Sequence, residues 1–288
     1  MFRRELFRKV AIVGVGLIGA SVGMAIKKKA LAREIVGVAR KDVTIDAAIK
    51  IGAIGSGTKD IKEAVKDADM IILAAPVNAI VESFPILNTH ARRGAIITDV
   101  GSSKGLIVDQ AHKHLHPSFL FVGSHPLAGS EKSGPQFGSA DLFNNTTCIM
   151  TPVDKTNRLA KEKVKHFWSQ LGANVRFMSP SEHDEILAVI SHLPHLMAYS
   201  LAKSIPEQFL SYATQSLRDT TRIAASDPKM WNDICISNTK NILKALDEYT
   251  RALGTIRKAI VDGDQQTLLE TFTQAKAARE RIEKNGHA

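Results

Sequence analysis

The run Gly14-Val15-Gly16-Leu17-Ile18-Gly19 constrains this chain more than any other segment. It follows Val10-Ala11-Ile12-Val13, a short apolar and β-branched stretch, and opens a helical pattern over residues 17–30. A G-x-G-x-x-G is weak alone and strong in that strand-to-helix context. The first glycine permits a tight turn, the second lets backbone approach a pyrophosphate, and the third lets helix and strand pack closely, with the helix N-terminus facing the phosphates. Gly14, Gly16, Leu17, Ile18 and Gly19 are therefore assigned to dinucleotide binding; a glycine-rich turn without a ligand is the plainer alternative.

The end of the next strand, residues 34–38, bears on which dinucleotide is taken. An acid there hydrogen-bonds the adenosine ribose and repels a 2′-phosphate. This chain has Ala39-Arg40-Lys41-Asp42, so Ala39 stands in the acid's place and two cations follow. Arg40 and Lys41 favour tolerance of NADP beside NAD, since an arginine can pair with the extra phosphate. Arg40 stacked on adenine or facing solvent is the alternative, and Asp42 is a possible displaced ribose partner.

Apolar runs recur at residues 70–74, 95–98 and 119–122, and later at 147–150 and 174–178, with helical periodicity at 42–51 and 157–171. Alternation of this kind predicts βαβ units and a doubly wound parallel sheet. Ala75-Pro76 and Asp99-Val100-Gly101-Ser102-Ser103-Lys104 fall at carboxyl ends of strands, where open α/β sheets hold ligands. After Ser179-Pro180-Ser181 helical periodicity takes over, in stretches 182–205, 209–225, 228–253 and 255–284. The expected plan is a Rossmann-like dinucleotide-binding domain, 1–178, and an all-helical substrate and dimerisation domain, 179–288.

The chain's 288 residues suit two domains. Its net charge of +9, from 38 Lys+Arg against 29 Asp+Glu, is scattered rather than gathered in a basic arm or patch. That argues against a nucleic-acid partner and for a solvated basic surface that attracts small anions. No stretch reads as a membrane span. The basic start, Met1 to Lys9, lacks the features of a signal peptide. Cys148 and Cys235 have neither disulfide-framework nor metal-ligand spacing. A cytoplasmic protein is the expectation.

Ser124-His125-Pro126-Leu127-Ala128-Gly129 follows the 119–122 strand, so His125 emerges at the ligand-bearing edge. Histidine is the side chain best suited to take a proton near neutral pH. In Ser191-His192-Leu193-Pro194-His195 the proline should kink its helix, and the i, i+3 spacing puts both histidines on one face. A zinc site would need a third ligand, and none has a sequence-adjacent claim. Leu217-Arg218-Asp219-Thr220-Thr221-Arg222-Ile223-Ala224 adds two arginines, which could equally bridge helices, and Ser226-Asp227-Pro228-Lys229-Met230-Trp231 starts another helix.

Together, in this order, these motifs resemble the prephenate dehydrogenase family, which includes arogenate and cyclohexadienyl dehydrogenases, over nearly the whole chain. The resemblance implies a nucleotide-binding domain followed by a helical domain that forms a homodimer, a small anionic cyclohexadienyl substrate, NAD or NADP, and no metal. It implies that His125 deprotonates the substrate's ring hydroxyl, that Ser102 bonds the same hydroxyl, and that Arg222 grips a carboxylate, with Arg218 the next candidate. Ser191 and His195 would line the site, His183 and His192 would lie close by, and Trp231 would sit near the pocket, contributed by the partner subunit in one version of the site. The chain departs from the family in having Ala213-Thr214-Gln215-Ser216 where a glycine-rich run is usual, and in lacking the acid at Ala39. Neither a mutase domain before Met1 nor a regulatory domain after the helices is expected. Two other readings fit parts of the pattern: a β-hydroxyacid or imine dehydrogenase of similar plan, and a dinucleotide-sensing regulator without catalysis.

Overall fold

The computed structural model describes residues 6–286. Residues 1–5 of the basic start, on which the signal-peptide expectation partly rests, lie outside the described residues. Six strands, β1 (Phe7–Val13), β2 (Ala32–Val38), β3 (Ser56–Thr58), β4 (Met70–Leu73), β5 (Ile96–Asp99) and β6 (Leu120–Val122), form one sheet. Every pairing is parallel and the order is β3-β2-β1-β4-β5-β6. Helices α1 (Leu17–Lys28), α2 (Asp42–Lys50), α3 (Ile61–Val65), α4 (Val77–His90) and α5 (Gly105–His114) connect them.

The period of two along a strand explains how both faces are filled. Val10, Ile12, Met70 and Ile72 enter one buried cluster with Ile26 and Trp168, while Ala11, Ile71 and Leu73 enter a second with Ile80 and Phe84. Strands covered on both sides read as continuous apolar runs, as Met70-Ile71-Ile72-Leu73 does. The strand order reverses between β1 and β4, and the crevice beyond their carboxyl ends is the expected ligand position in such sheets.

At that point Gly14 has φ +100° and passes against β4: a Cβ there would lie 2.3 Å from the Ala74 carbonyl oxygen. A Cβ on Gly19 would stand 1.9 Å from the Gly14 carbonyl oxygen, so only glycine lets α1 start this close to β1. Gly19→Ala is expected to destabilise the fold by about 1–3 kcal/mol and to weaken NAD(P)H binding. A thermal melt and a fluorescence titration of the reduced cofactor check both, and wild-type values in the two would contradict the packing argument.

The later strands do not extend this sheet. β7 (Ser124–Pro126), β8 (Thr147–Met150) and β9 (Asn174–Phe177) form a second, three-stranded sheet, with β7 antiparallel to β8 and β8 parallel to β9. His125 thus lies on a strand, opposite Ile149, rather than in a loop. Pro126 is tolerated because β7 is an edge strand. Between β8 and β9 runs α6 (Arg158–Gln170), whose Phe167 and Trp168 are fully buried.

Helices follow: α7 (Pro180–Leu187), α8 (Leu193–Ser204), α9 (Gln215–Thr221) and α10 (Pro228–Ser237). Ser179 caps α7 and Asp227 caps α10, each with proline in the first turn, the usual grammar of a helix start. Between α7 and α8, Ala188–His192 forms a π-helical turn, closed by a bond from the Leu193 N–H to the Ala188 carbonyl. The expected kink at Pro194 therefore takes the form of a widened turn, with Pro194 in the first turn of α8. Such turns accommodate a missing N–H and recur at functional sites.

The chain divides into two compact units, one reaching to Thr239 and one from Lys240. The second consists of the body of α11 (Thr239–Asp262) and α12 (Gln265–Gly286). The expected stretch 209–225 is α-helical only over Gln215–Thr221, between 3-10 turns, and two later helix boundaries also differ from the sequence expectation. The 228–253 helix breaks at Asn238, and α11 runs through Gly254 to end at Gly263. Gly263, at φ +65°, makes the helix-ending turn, with its N–H on Ile260 and the Asp264 N–H on Ala259. Gly254 lies mid-helix, where glycine costs about 1 kcal/mol against alanine but does not force a stop.

Candidate active site

The glycine turn can accept a dinucleotide. A Cβ at Gly16 would meet nothing within 4 Å, which leaves backbone approach open, and no side chain caps the start of α1. Leu17 and Ile18 form the first turn of α1, and Ala75 and Pro76 follow β4 at the same edge. Arg40 and Lys41 are exposed between β2 and α2. Asp42 pairs with Lys59 at 2.8 Å, both side chains exposed.

The chemistry-bearing side chains are held by a charged anchor below them. Lys104 and Asp99 are fully buried and ion-paired. The Lys104 Nζ also donates to the Ser124 carbonyl at 2.9 Å, while Asp99 accepts from the Ser124 N–H at 3.1 Å and the Gly101 N–H at 2.9 Å. Both backbone groups of the residue before His125 are thereby tied to the carboxyl end of β5.

His125 is 9% exposed. Its Nδ1 lies 2.8 Å from the Nε2 of His183, and the His183 Nδ1 lies 2.8 Å from the Asp184 carboxylate. Among the described residues Nε2 of His125 has no protein partner. Burial, with the positive character of His183, Lys104 and His192 nearby, holds the His125 imidazole well below its usual range. Burial likewise lowers His183, against the pull of Asp184, and pushes His192 down to about 4. Histidines in this state are neutral at pH 7 and able to accept protons.

Around them stand the other expected residues. His192 is buried, with its Nδ1 3.3 Å from the Asn238 amide and the Ser102 backbone beside it. The Asn238 amide also donates to the Asp184 carbonyl at 2.7 Å. His195 hydrogen-bonds the Ser191 carbonyl through Nδ1 at 2.9 Å and stacks on Trp231 at 3.8 Å, so Trp231 of the same chain supplies that wall. His192 meets the same indole edge-on at 6.0 Å. Trp231 Nε1 is buried without a hydrogen-bond partner among the described residues. Burial, with the Arg222 guanidinium among the nearby charges, lowers the His195 imidazole.

One segment joins these parts. A Cβ on Gly129 would lie 3.7 Å from the Ile18 side chain of the glycine turn, and Glu131 pairs with Arg222 at 2.7 Å. Arg218 is exposed on α9, with no hydrogen bond or ion pair to this cluster among the described residues. In the replaced run before it, Thr214 caps α9 and Gln215 holds Asp219 at 2.7 Å. The sequence pattern does not single out Asp184, and it gives Lys104 and Asp99 no role. The signal available was a lysine and an aspartate flanking Ser102 at a strand end. Among the described residues no group of three or more His, Cys, Asp or Glu is arranged to hold a metal ion.

A doubly wound fold with this glycine turn, and a buried histidine beyond its carboxyl edge, has the parts of a nicotinamide-dependent oxidoreductase. Residues 22–177 match the family model described as "Prephenate dehydrogenase, nucleotide-binding domain", and residues 179–274 match "Prephenate dehydrogenase, dimerization domain". The chain is 37% identical over 283 residues to a prephenate dehydrogenase of Bacillus subtilis, covering 95% of this chain and 76% of that one. It is 34% identical over 281 residues to a cyclohexadienyl dehydrogenase of Zymomonas mobilis, covering 95% and 96%. A crystal structure of prephenate dehydrogenase from Aquifex aeolicus, in complex with hydroxyphenyl propionate and NAD+, superposes with TM-score 0.88 at 33% identity, over 96% of this chain and 98% of that one. The chain belongs to the prephenate dehydrogenase family.

Proposed function

We propose that this protein oxidatively decarboxylates a cyclohexadienyl acid, prephenate or its amino counterpart arogenate, in the formation of tyrosine. The observation that carries the reading is the segment from His125 to Glu131. It joins the glycine turn, an imidazole with an open Nε2, and Arg222 within one run of chain. A β-hydroxyacid dehydrogenase has no need of such a histidine, and a cofactor-sensing regulator has no need of a neutral buried base.

Bound at the glycine turn, NAD(P)+ supplies the hydride acceptor. The residues do the rest. His125 Nε2 takes the proton of the ring hydroxyl as carbonyl character develops, a role with a typical worth of about 10²–10⁴-fold. Ser102 hydrogen-bonds the same hydroxyl. Ser191, with His195 and Trp231 stacked beside it, lines the ring's pocket, and His192 backs it. Loss of carbon dioxide then leaves its bonding electrons in the ring, and the aromatic phenolate so formed takes back the proton from His125; aromatisation supplies the driving force.

Arg222 holds a substrate carboxylate in place of Glu131, a pairing that arginine's planar fork suits and lysine's point charge does not. Arg222→Gln is expected to raise KM about 10-fold or more, the worth of a charge-assisted hydrogen bond, with a smaller change in kcat. An unchanged KM moves the carboxylate site to Arg218.

The proposed cofactor is NAD with tolerance of NADP, supported by Arg40 and Lys41 at the end of β2 where an acid is missing. The working form is a homodimer built through the region matched to the dimerization model. The cytoplasm is the proposed compartment, supported by two free cysteines and by the lack, among the described residues, of any helix long and apolar enough to cross a membrane. A two-by-two assay of prephenate and arogenate against NAD and NADP tests the whole reading. Turnover of at least one acid is expected, with NADP supporting it. No turnover in any combination overturns the assignment.

A further inference from the structure

Among the described residues His125 hydrogen-bonds no carboxylate, and its side-chain partner is another histidine. We propose that Asp184 and His183 are positioning residues that lock His125 in its Nδ1–H tautomer, so that Nε2 is the lone pair presented to the substrate. The inference rests on the reading of His125 as the base.

The tautomers follow from counting protons. Three donors converge on the Asp184 carboxylate: the Lys104 N–H at 2.7 Å and the His183 Nδ1 at 2.8 Å on Oδ1, and the Gly105 N–H at 2.8 Å on Oδ2. Lys104 and Gly105 begin α5, whose dipole also favours an anion. Burial raises the Asp184 carboxyl, but these hydrogen bonds prevail and it is lowered overall. An ionised carboxylate only accepts, so His183 Nδ1 carries the proton. A neutral His183 then has a bare Nε2. The 2.8 Å contact to His125 therefore requires His125 Nδ1 to donate, and the neutral His125 ring has no second proton for Nε2.

The charged and titratable groups around His125 are His183 from α7, with Asp184 behind it, His192 from the π-helical turn, Lys104 at the start of α5, itself paired to Asp99, and Cys148 of β8 beside the His125 backbone. Of these, only the Asp184–His183 pair both accepts the Nδ1 proton and carries negative charge behind it. When the substrate's O–H bond breaks and the N–H bond forms at Nε2, that pair opposes the new positive charge.

The test uses long-range nitrogen–proton NMR on the histidine-labelled protein without substrate, with His125 assigned by its loss in His125→Asn. The expected wild-type result is Nδ1–H with bare Nε2 on both His125 and His183; a proton on His125 Nε2 overturns the proposal. His183→Leu removes the acceptor and is expected to lower kcat about 10–100-fold, as loss of an orienting outer partner does, with KM within about 3-fold. His183→Gln offers a carbonyl oxygen to Nδ1–H and should recover most of that loss. A folded His183→Leu with wild-type kcat, or a glutamine variant as slow as the leucine one, contradicts the positioning role. The expected tautomers in a chain that turns over neither acid would support this inference and overturn the proposed function alone.

Discussion

His125→Asn is expected to lower kcat by at least about 10²-fold while leaving cofactor binding intact. Asparagine can keep a polar contact on the His183 side, so β7 and its pairing to β8 should survive. It has no group that accepts a proton near neutral pH. The loss should therefore appear in kcat and in kcat/KM alike, the pattern of an interaction made in the transition state. Reduced-cofactor titration separates the effect from misfolding, because the glycine turn lies on β1 and α1, not on β7. Near-normal turnover would remove His125 from the chemistry.

The second large effect lies beneath the site. Lys104→Met should cost about 3–5 kcal/mol of stability, since it leaves Asp99 as an unpaired buried charge. In a domain of this size that corresponds to a melting temperature lower by on the order of 10 °C. Methionine nearly fills the volume, so electrostatics rather than packing decides the outcome. The substitution also frees the Ser124 carbonyl and removes the cation that helps hold His125 neutral. With Asp99 left uncompensated, the imidazole should bind protons more readily, and the acid limb of the rate profile should move to higher pH. A variant as stable as the parent would contradict the anchoring role of this ion pair.

What the sequence revealed divides along physical lines. The glycine turn was readable because three glycines at fixed spacing, between a strand and a helix, have one common cause. β4 was readable because both its faces are buried and its residues are uniformly apolar. β3, three residues containing Gly57, and β7, containing a histidine and a proline, carry no such pattern. They are strands because a neighbour's backbone is there to pair with them, which is tertiary information. The same limit applies to the helix boundaries. Gly254 and Gly263 look alike in sequence, yet only Gly263 precedes an aspartate that can cap the next helix, where Asp264 accepts from Thr267.

Within the site, His125, His183, His192 and His195 were each visible as residues of the right kind. Their mutual contacts were not, since His125 and His183 lie 58 residues apart and meet only when α7 packs beside α5. Asp184 was obscured by its setting, Glu182-His183-Asp184-Glu185, which reads as a solvated helix face. Burial singles it out: Asp184 turns inward onto the start of α5 while Glu182 and Glu185 remain exposed. Arg222 was identified by motif, but its pairing with Glu131 needed the fold.

The central claim is that a histidine kept neutral by its surroundings takes the substrate's proton. The pH dependence of kcat/KM tests this most directly, because it reports the essential base of the free enzyme. A lowered imidazole stays unprotonated as pH falls through the usual histidine value of about 6.5. The profile is therefore expected to remain level through that value and to decline only at lower pH, with the decline lost in His125→Asn. A decline centred at or above the usual value, or one that persists unchanged in His125→Asn, would contradict the account.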